Sequence, residues 1–137
     1  MMASVAAAAD MTAFDLQGHR GARGLAPENS LAAFAEALSI GVTTLELDAG
    51  ISRDGVVMIS HNRRLSPDLT RDASGVWLTQ DGPALFSLSR DELKEYDIGR
   101  IDPASRYARK FPDQVPRDGS RMPDRKSTRL NSSHTST

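Results

Sequence analysis

The chain changes its hydrophobic rhythm several times, and each change marks a predicted element. Phe14-Asp15-Leu16-Gln17 alternates apolar and polar positions and runs into Gly18-His19-Arg20-Gly21. That is the pattern of a strand ending in a glycine-rich turn. Pro27-Glu28-Asn29 then sets up a helix, with Asn29 the expected N-cap, because its side chain can accept from an orphan N–H of the first turn. Leu31, Phe34, Ala35 and Leu38 follow at i, i+3, i+4 and i+7. This single apolar face predicts a helix over 30–40. Gly41 stands where a left-handed residue would end it.

Residues 42–49 alternate with period two: Leu45 and Leu47 share one face, Glu46 and Asp48 the other. Asp54-Gly55 is a turn signal. Val56-Val57-Met58-Ile59 is a continuous apolar run, as in a strand buried on both faces, and it delivers His61 at its C-terminal end. Strand, helix, strand and strand predict an α/β fold with a parallel sheet. Residues 50–55 are too few for a crossover helix. Either the last two strands form a hairpin or a short extended segment makes the crossing. Beyond His61, residues 66–82 are polar and turn-rich. Ser89-Arg90-Asp91-Glu92 reads as a capping box opening a short helix to about Tyr96, with Gly99 closing it. Residues 102–123 carry four of the seven prolines and read as loop. A structureless stretch of about 20 residues implies that whatever it packs against is missing.

Length sharpens this picture. At 137 residues one domain is expected, and a complete (β/α)₈ barrel, which typically needs about 250 residues, is not. With 39% hydrophobic residues, 26% charged residues and a net charge of −1, collagen-like and wholly disordered classes are excluded. No basic excess points to a nucleic-acid partner. The absence of cysteine removes disulfides and thiolate metal sites and fits cytoplasm and periplasm equally. No apolar run approaches the roughly 20 residues of a membrane span.

The two ends differ from the body. Residues 1–13 read as a leader or the remnant of a signal sequence: Ala3 to Ala9 is small and mildly apolar, with no Lys or Arg before it. Residues 124–137 are rich in Ser, Thr, Arg and Asn, with Leu130 the one apolar residue, and read as a disordered terminus. Residues 124–134 also match what a common sequencing adapter encodes when read in frame, so 124–137 is set aside as non-native. That tail holds three basic residues and one acidic one, which leaves 14 basic and 17 acidic residues in the body. The expected domain is therefore 14–123.

Four polar features fall at predicted strand ends or at the helix start, where open α/β sheets and barrels place their sites. Glu46 and Asp48, at i and i+2 on one strand face, lie about 7 Å apart at Cα. They can converge on one cation, or the face can simply meet water. The strand is flanked by apolar elements and expected to be central. Carboxylates facing a core are costly, which brings in a hard cation, Mg²⁺ or Ca²⁺. A lone histidine is usually structural or superficial. His19 and His61, each at a strand end near that carboxylate pair, can serve as base and acid near neutrality. Arg20 can grip a phosphate through its forked donors, although alone it is an ordinary surface residue. Capping is a sufficient explanation of Glu28-Asn29.

His19-Arg20-Gly21-Ala22, Ala26-Pro27-Glu28-Asn29-Ser30-Leu31-Ala32-Ala33-Phe34, Leu45-Glu46-Leu47-Asp48, Asp54-Gly55 and His61 together resemble the N-terminal signature of the glycerophosphodiester phosphodiesterases. Each motif is weak alone; the ordered set, across about residues 15–72, is specific. Weaker similarity continues to Pro123, including Tyr96-Asp97-Ile98-Gly99. The resemblance implies the N-terminal portion of a TIM (β/α)₈ barrel of the phospholipase C-like phosphodiesterase type. It implies a divalent metal and hydrolysis of a small-molecule glycerophosphodiester to glycerol 3-phosphate and an alcohol. By the same resemblance His19 and His61 become the acid–base pair, Glu46 and Asp48 metal ligands, Arg20 a phosphate contact and Glu28 a site residue.

Two departures stand out. Asn62 follows His61 where the family has aspartate, which keeps the hydrogen-bonding shape and loses a charge. The family's further metal-binding carboxylate would come after Pro123. The polypeptide is accordingly expected to be inactive and poorly folded, with open strand edges. The competing readings are a related phospholipase C-like or sphingomyelinase D-like activity, and a non-catalytic fragment or metal-binding module with a vestigial site. Neither the alcohol head group nor the oligomeric state is legible.

Overall fold

The computed structural model of the chain describes residues 14–134; the expected leader, 1–13, lies outside the described residues. The elements are β1 (Gln17–His19), α1 (Leu31–Ile40), β2 (Thr44–Glu46), β3 (Ala49–Ile51), β4 (Val57–Ile59), α2 (Arg90–Leu93) and α3 (Arg125–His134). Single 3₁₀ turns lie at Leu85–Ser87 and Ala108–Lys110. An α/β fold is what the sequence predicts, but its strands are shorter. β1 starts at Gln17, and Phe14 and Leu16 lie exposed ahead of it.

β1 and β2 pair in parallel, with His19 opposite Glu46. Between them α1 makes the crossover. Its N-cap is Ser30, whose hydroxyl accepts from the Ala33 N–H, and not Asn29. Gly41 ends it in the left-handed conformation, φ 97°, as expected. The buried face is also not the predicted stripe. Ala33, Phe34 and Ala37 are buried, whereas Ala35 and Leu38 are exposed and Leu31 is half-buried. Close approach explains the choice. A Cβ on Gly21 would sit 2.7–2.9 Å from Ala33 atoms, and one on Gly18 would meet the Ala37 Cβ at 3.0 Å. Only the small residues of α1 fit against the turn that follows β1.

β3 and β4 form an antiparallel hairpin through the Asp54-Gly55 turn, with Ala49 opposite Ile59. This settles the question raised by the short 50–55 connection and corrects the expectation of a third parallel strand. One step beyond the ladder, Ser60 N–H donates to Asp48 O at 3.0 Å. The hairpin register thus carries His61 alongside the end of the carboxylate strand. β2 is not central among the described residues; it has one ladder partner, β1.

The core lies beneath the hairpin. Met58, Leu65, Leu85, Leu93 and Met122 form it, with Val56, Leu78, Leu88 and Tyr96 packed against them. Most of these lie beyond His61, after the last predicted strand. Ser89 does cap α2 with the full capping box to Glu92. The helix ends at Leu93, so Gly99 does not close it. Gly99 instead lies so close to Arg117 that a Cβ would fall 1.9 Å from the Arg117 carbonyl oxygen.

Residues 102–123 have little regular structure, yet they are docked on the chain itself. Val115 N–H donates to Leu25 O, Gln114 Nε2 to Arg23 O, and Pro123 O accepts from Ile59 N–H. The expectation that their packing partner is missing is corrected. The tail is corrected in part as well. Asp124 is buried against Arg90 and Ser127, and 125–134 are helical rather than disordered.

Candidate functional site

The site is built by the turn after β1 and by the closed loop that leads into α1. Arg20 adopts a left-handed backbone, φ 54°, which costs an L-residue about 1–2 kcal/mol. That turn aims the Arg20 N–H at Glu46 Oε2, 2.9 Å away. The loop closes when Asn29 N–H donates to Arg20 O at 2.9 Å, which brings Glu28 beside the Arg20 side chain. Asn29 is itself left-handed, φ 53°. Freed from capping, its amide donates to Asp48 Oδ2 at 3.1 Å.

Arg20 is the hub. Its Nη1 donates to Glu28 Oε2 at 2.8 Å, and its Nε faces Asp48 Oδ2 at 3.5 Å. Both the Arg20 and Glu28 side chains are largely buried, 13% and 8% exposed, so this pair is shielded from screening. Burial works against the Arg20 charge, but the Glu28 carboxylate outweighs it and raises its pKa above the ordinary value.

His19 is more than half exposed, with Nε2 3.7 Å from Glu46 Oε2. Its Nδ1 lies 3.0 Å from Arg23 Nη2. A guanidinium only donates, so Nδ1 accepts and the ring proton sits on Nε2, toward Glu46. His61 is exposed, with Nδ1 3.0 Å from Asn62 Oδ1. One cavity, about 390 Å³, is shared by Arg20, Arg23, Glu28, His61, Asn62 and Tyr107.

The structure therefore brings together Arg20, Glu28, Glu46, Asp48 and His19 by direct contact, and His61 by a shared cavity. Glu46 and Asp48 each keep one oxygen without a hydrogen bond among the described residues. Two hard oxygen donors fit part of a Mg²⁺ or Ca²⁺ shell. No group of three or more potential ligands occurs among the described residues, so the pair does not make a complete site by itself.

Two residues escape the sequence reading. Arg23 bridges His19 and Tyr107, donating to the Tyr107 hydroxyl at 3.2 Å. Tyr107 donates in turn to Glu28 Oε1. Burial and the Glu28 carboxylate push the Tyr107 phenol up to about 12. No periodicity marks either residue. The one available signal is a tyrosine in a proline-rich stretch of a chain with two tyrosines.

Comparison with known proteins identifies the family. The sequence profile of the Glycerophosphoryl diester phosphodiesterase family matches residues 19–125, more than half the chain. Over 84 residues the chain is 47% identical to lysophospholipase D GDPD1 of Homo sapiens, covering 61% of this chain and 23% of that protein. A Silicibacter pomeroyi structure assigned as a glycerophosphoryl diester phosphodiesterase superposes with a TM-score of 0.77 at 41% identity, covering 79% of this chain and 36% of that one. An Oleispira antarctica phosphodiesterase solved with the product sn-glycerol-3-phosphate superposes at 0.61 with 26% identity, covering 88% and 40%. The chain thus spans well under half the length of each relative. From the motif order, the geometry and these matches together, the chain belongs to the glycerophosphoryl diester phosphodiesterase family.

Proposed function

We propose that this chain carries the N-terminal half of the active site of a barrel enzyme that hydrolyses glycerophosphodiesters to glycerol 3-phosphate and an alcohol. The observation that supports it most is the convergence on Arg20 of Glu28, Asp48 and Glu46, with His19 and His61 alongside. Arg20 Nη2 has no partner among the described residues and is left for a phosphoryl oxygen, which a guanidinium fork suits. Glu46 and Asp48 would hold a divalent cation, Mg²⁺ or Ca²⁺, which when bound neutralises phosphoryl charge. His19 and His61 are the acid–base pair. One imidazole takes the proton of the attacking hydroxyl, in this reading the substrate's own glycerol hydroxyl, and the other protonates the departing alcohol, leaving a cyclic glycerol phosphate. Water then opens that ring, giving up its proton to one imidazole while the other protonates the ring oxygen that leaves phosphorus, so the net reaction adds one water across the P–O bond.

The further ligand and the rest of the substrate pocket would come from later strands of the barrel, so the 137-residue polypeptide alone is expected to be inactive. A second reading, a non-catalytic metal-binding module, is favoured by one observation: Asn62 stands beside His61 and supplies no charge to it.

The test is release of glycerol 3-phosphate from glycerophosphocholine, followed by ³¹P NMR with Mg²⁺ or Ca²⁺. It is run on this chain and on the protein encoded by the uninterrupted reading frame. The longer protein should turn over, lose activity with a chelator, and fall at least about 100-fold on His19→Ala or His61→Ala. Metal binding without turnover in the longer protein would favour the module instead.

A further inference from the structure

We propose that Tyr107 is a positioning residue of this site: by holding one oxygen of Glu28, it keeps the Arg20 guanidinium free to receive a phosphate. The proposal rests on the phosphodiesterase reading above and adds a residue from the segment 79 positions away from Glu28.

The direction of each hydrogen bond is fixed by chemistry. The Arg23 guanidinium can only donate, and the Glu28 carboxylate can only accept. Between them the Tyr107 hydroxyl has one arrangement that satisfies both. It accepts from Arg23 Nη1 and donates to Glu28 Oε1. Arg20 Nη1 takes the other carboxylate oxygen, Oε2. Glu28 is thereby split between two partners, one oxygen each, in a buried setting.

That division matters because a carboxylate and a guanidinium left to themselves favour the bidentate fork, two parallel N–H···O bonds. Such a fork would consume a second Arg20 nitrogen. With Tyr107 occupying Oε1, Arg20 contacts Glu28 through Nη1 alone and keeps Nη2 for a ligand.

Tyr107 is itself braced. Phe111 packs edge-on against its ring at 5.1 Å, the Arg23 guanidinium lies 4.6 Å above the Phe111 ring, and Gln114 Nε2 donates to Arg23 O at 2.7 Å. The 102–115 segment and the phosphate-gripping turn are therefore one packed unit.

The test is a double-variant cycle on the protein encoded by the uninterrupted reading frame, with inorganic phosphate as probe and Arg20 side-chain ¹⁵N signals as readout. Tyr107→Phe removes the hydroxyl and keeps the ring. It should weaken phosphate at least fivefold, with the thermal midpoint close to the parent's. In a Glu28→Gln background, where no two-oxygen fork can form, the same change should alter phosphate affinity less than twofold. That non-additivity is what a merely structural tyrosine would not produce. Equal weakening in both backgrounds, or no weakening in the parent, overturns the proposal and leaves the phosphodiesterase reading intact. If the parent binds no phosphate, or Arg20→Ala binds it as well as the parent, the reading of Arg20 falls and takes this proposal with it.

Discussion

Asn29 holds a left-handed backbone that asparagine tolerates better than most L-residues. Its amide faces Asp48 in both directions, donating from Nδ2 and accepting the Asp48 N–H at 3.4 Å. Ser30, one residue on, does the capping: its hydroxyl accepts from Ala33 N–H. Adjacent residues therefore serve different masters, one the carboxylate site and one the helix. Substitution should separate them. Ser30→Ala is expected to lower unfolding free energy by about 1 kcal/mol and to leave divalent-cation affinity unchanged. Asn29→Ala is expected to weaken cation binding by about tenfold, the usual effect of losing a residue that orients a ligand. Urea unfolding and cation titration of both variants check this. A Ser30 variant that loses cation affinity, or an Asn29 variant that keeps it, would show that the two roles are not divided.

At the scale of elements, α1 is placed by small residues. Gly21 has φ 84°, and its missing Cβ is the space that Ala33 fills. Gly21→Ala adds both a left-handed penalty and an overlap with the Ala33 backbone, about 2–4 kcal/mol together. Gly55 in the hairpin turn has φ 80° with nothing within 4 Å of its would-be Cβ, so Gly55→Ala should cost only about 1–2 kcal/mol. Comparable losses in the two variants would mean that close approach does not position the site.

This contrast also shows what the sequence could convey. Helix α1, its Gly41 stop, the Ser89 capping box and the Asp54-Gly55 turn were legible because each is a local signal read over a few residues. Leu38 belongs to the apolar stripe yet lies exposed, because close packing onto glycine selects the small residues Ala33 and Ala37. His19, Arg20, Glu28, Glu46, Asp48 and His61 were legible as a motif set. The contacts of Tyr107 with Arg23 and Glu28 were not, since they join segments about 80 residues apart with no periodic pattern to announce them.

Across the whole molecule, segments without ladders or helices are tied by charge as well as by the apolar core. Arg71 Nη2 bonds both Asp97 at 2.8 Å and Asp118 at 2.7 Å, and Arg100 grips Asp118 through Nε and Nη2. These contacts tie residues 68–78 to 97–100 and 117–120, beside the turn on which Gly99 meets Arg117. The hydrogen bond from Arg100, with Arg71 nearby, lowers the Asp118 carboxyl from the ordinary 3.8 to about 2. A folded-state value below the unfolded one means the carboxylate favours the fold above about pH 4, and this support is lost as pH falls through about 2. The Asp118→Asn variant lacks it at every pH. Urea midpoints of the two proteins should therefore differ most near neutrality, converge between about pH 4 and pH 2, and coincide below that. Because Asp118 is half exposed, the difference near neutrality should also shrink as salt rises to about 1 M. A gap that stays constant from neutrality to acid would assign the stitching of these segments to the shape of the side chain rather than to its charge.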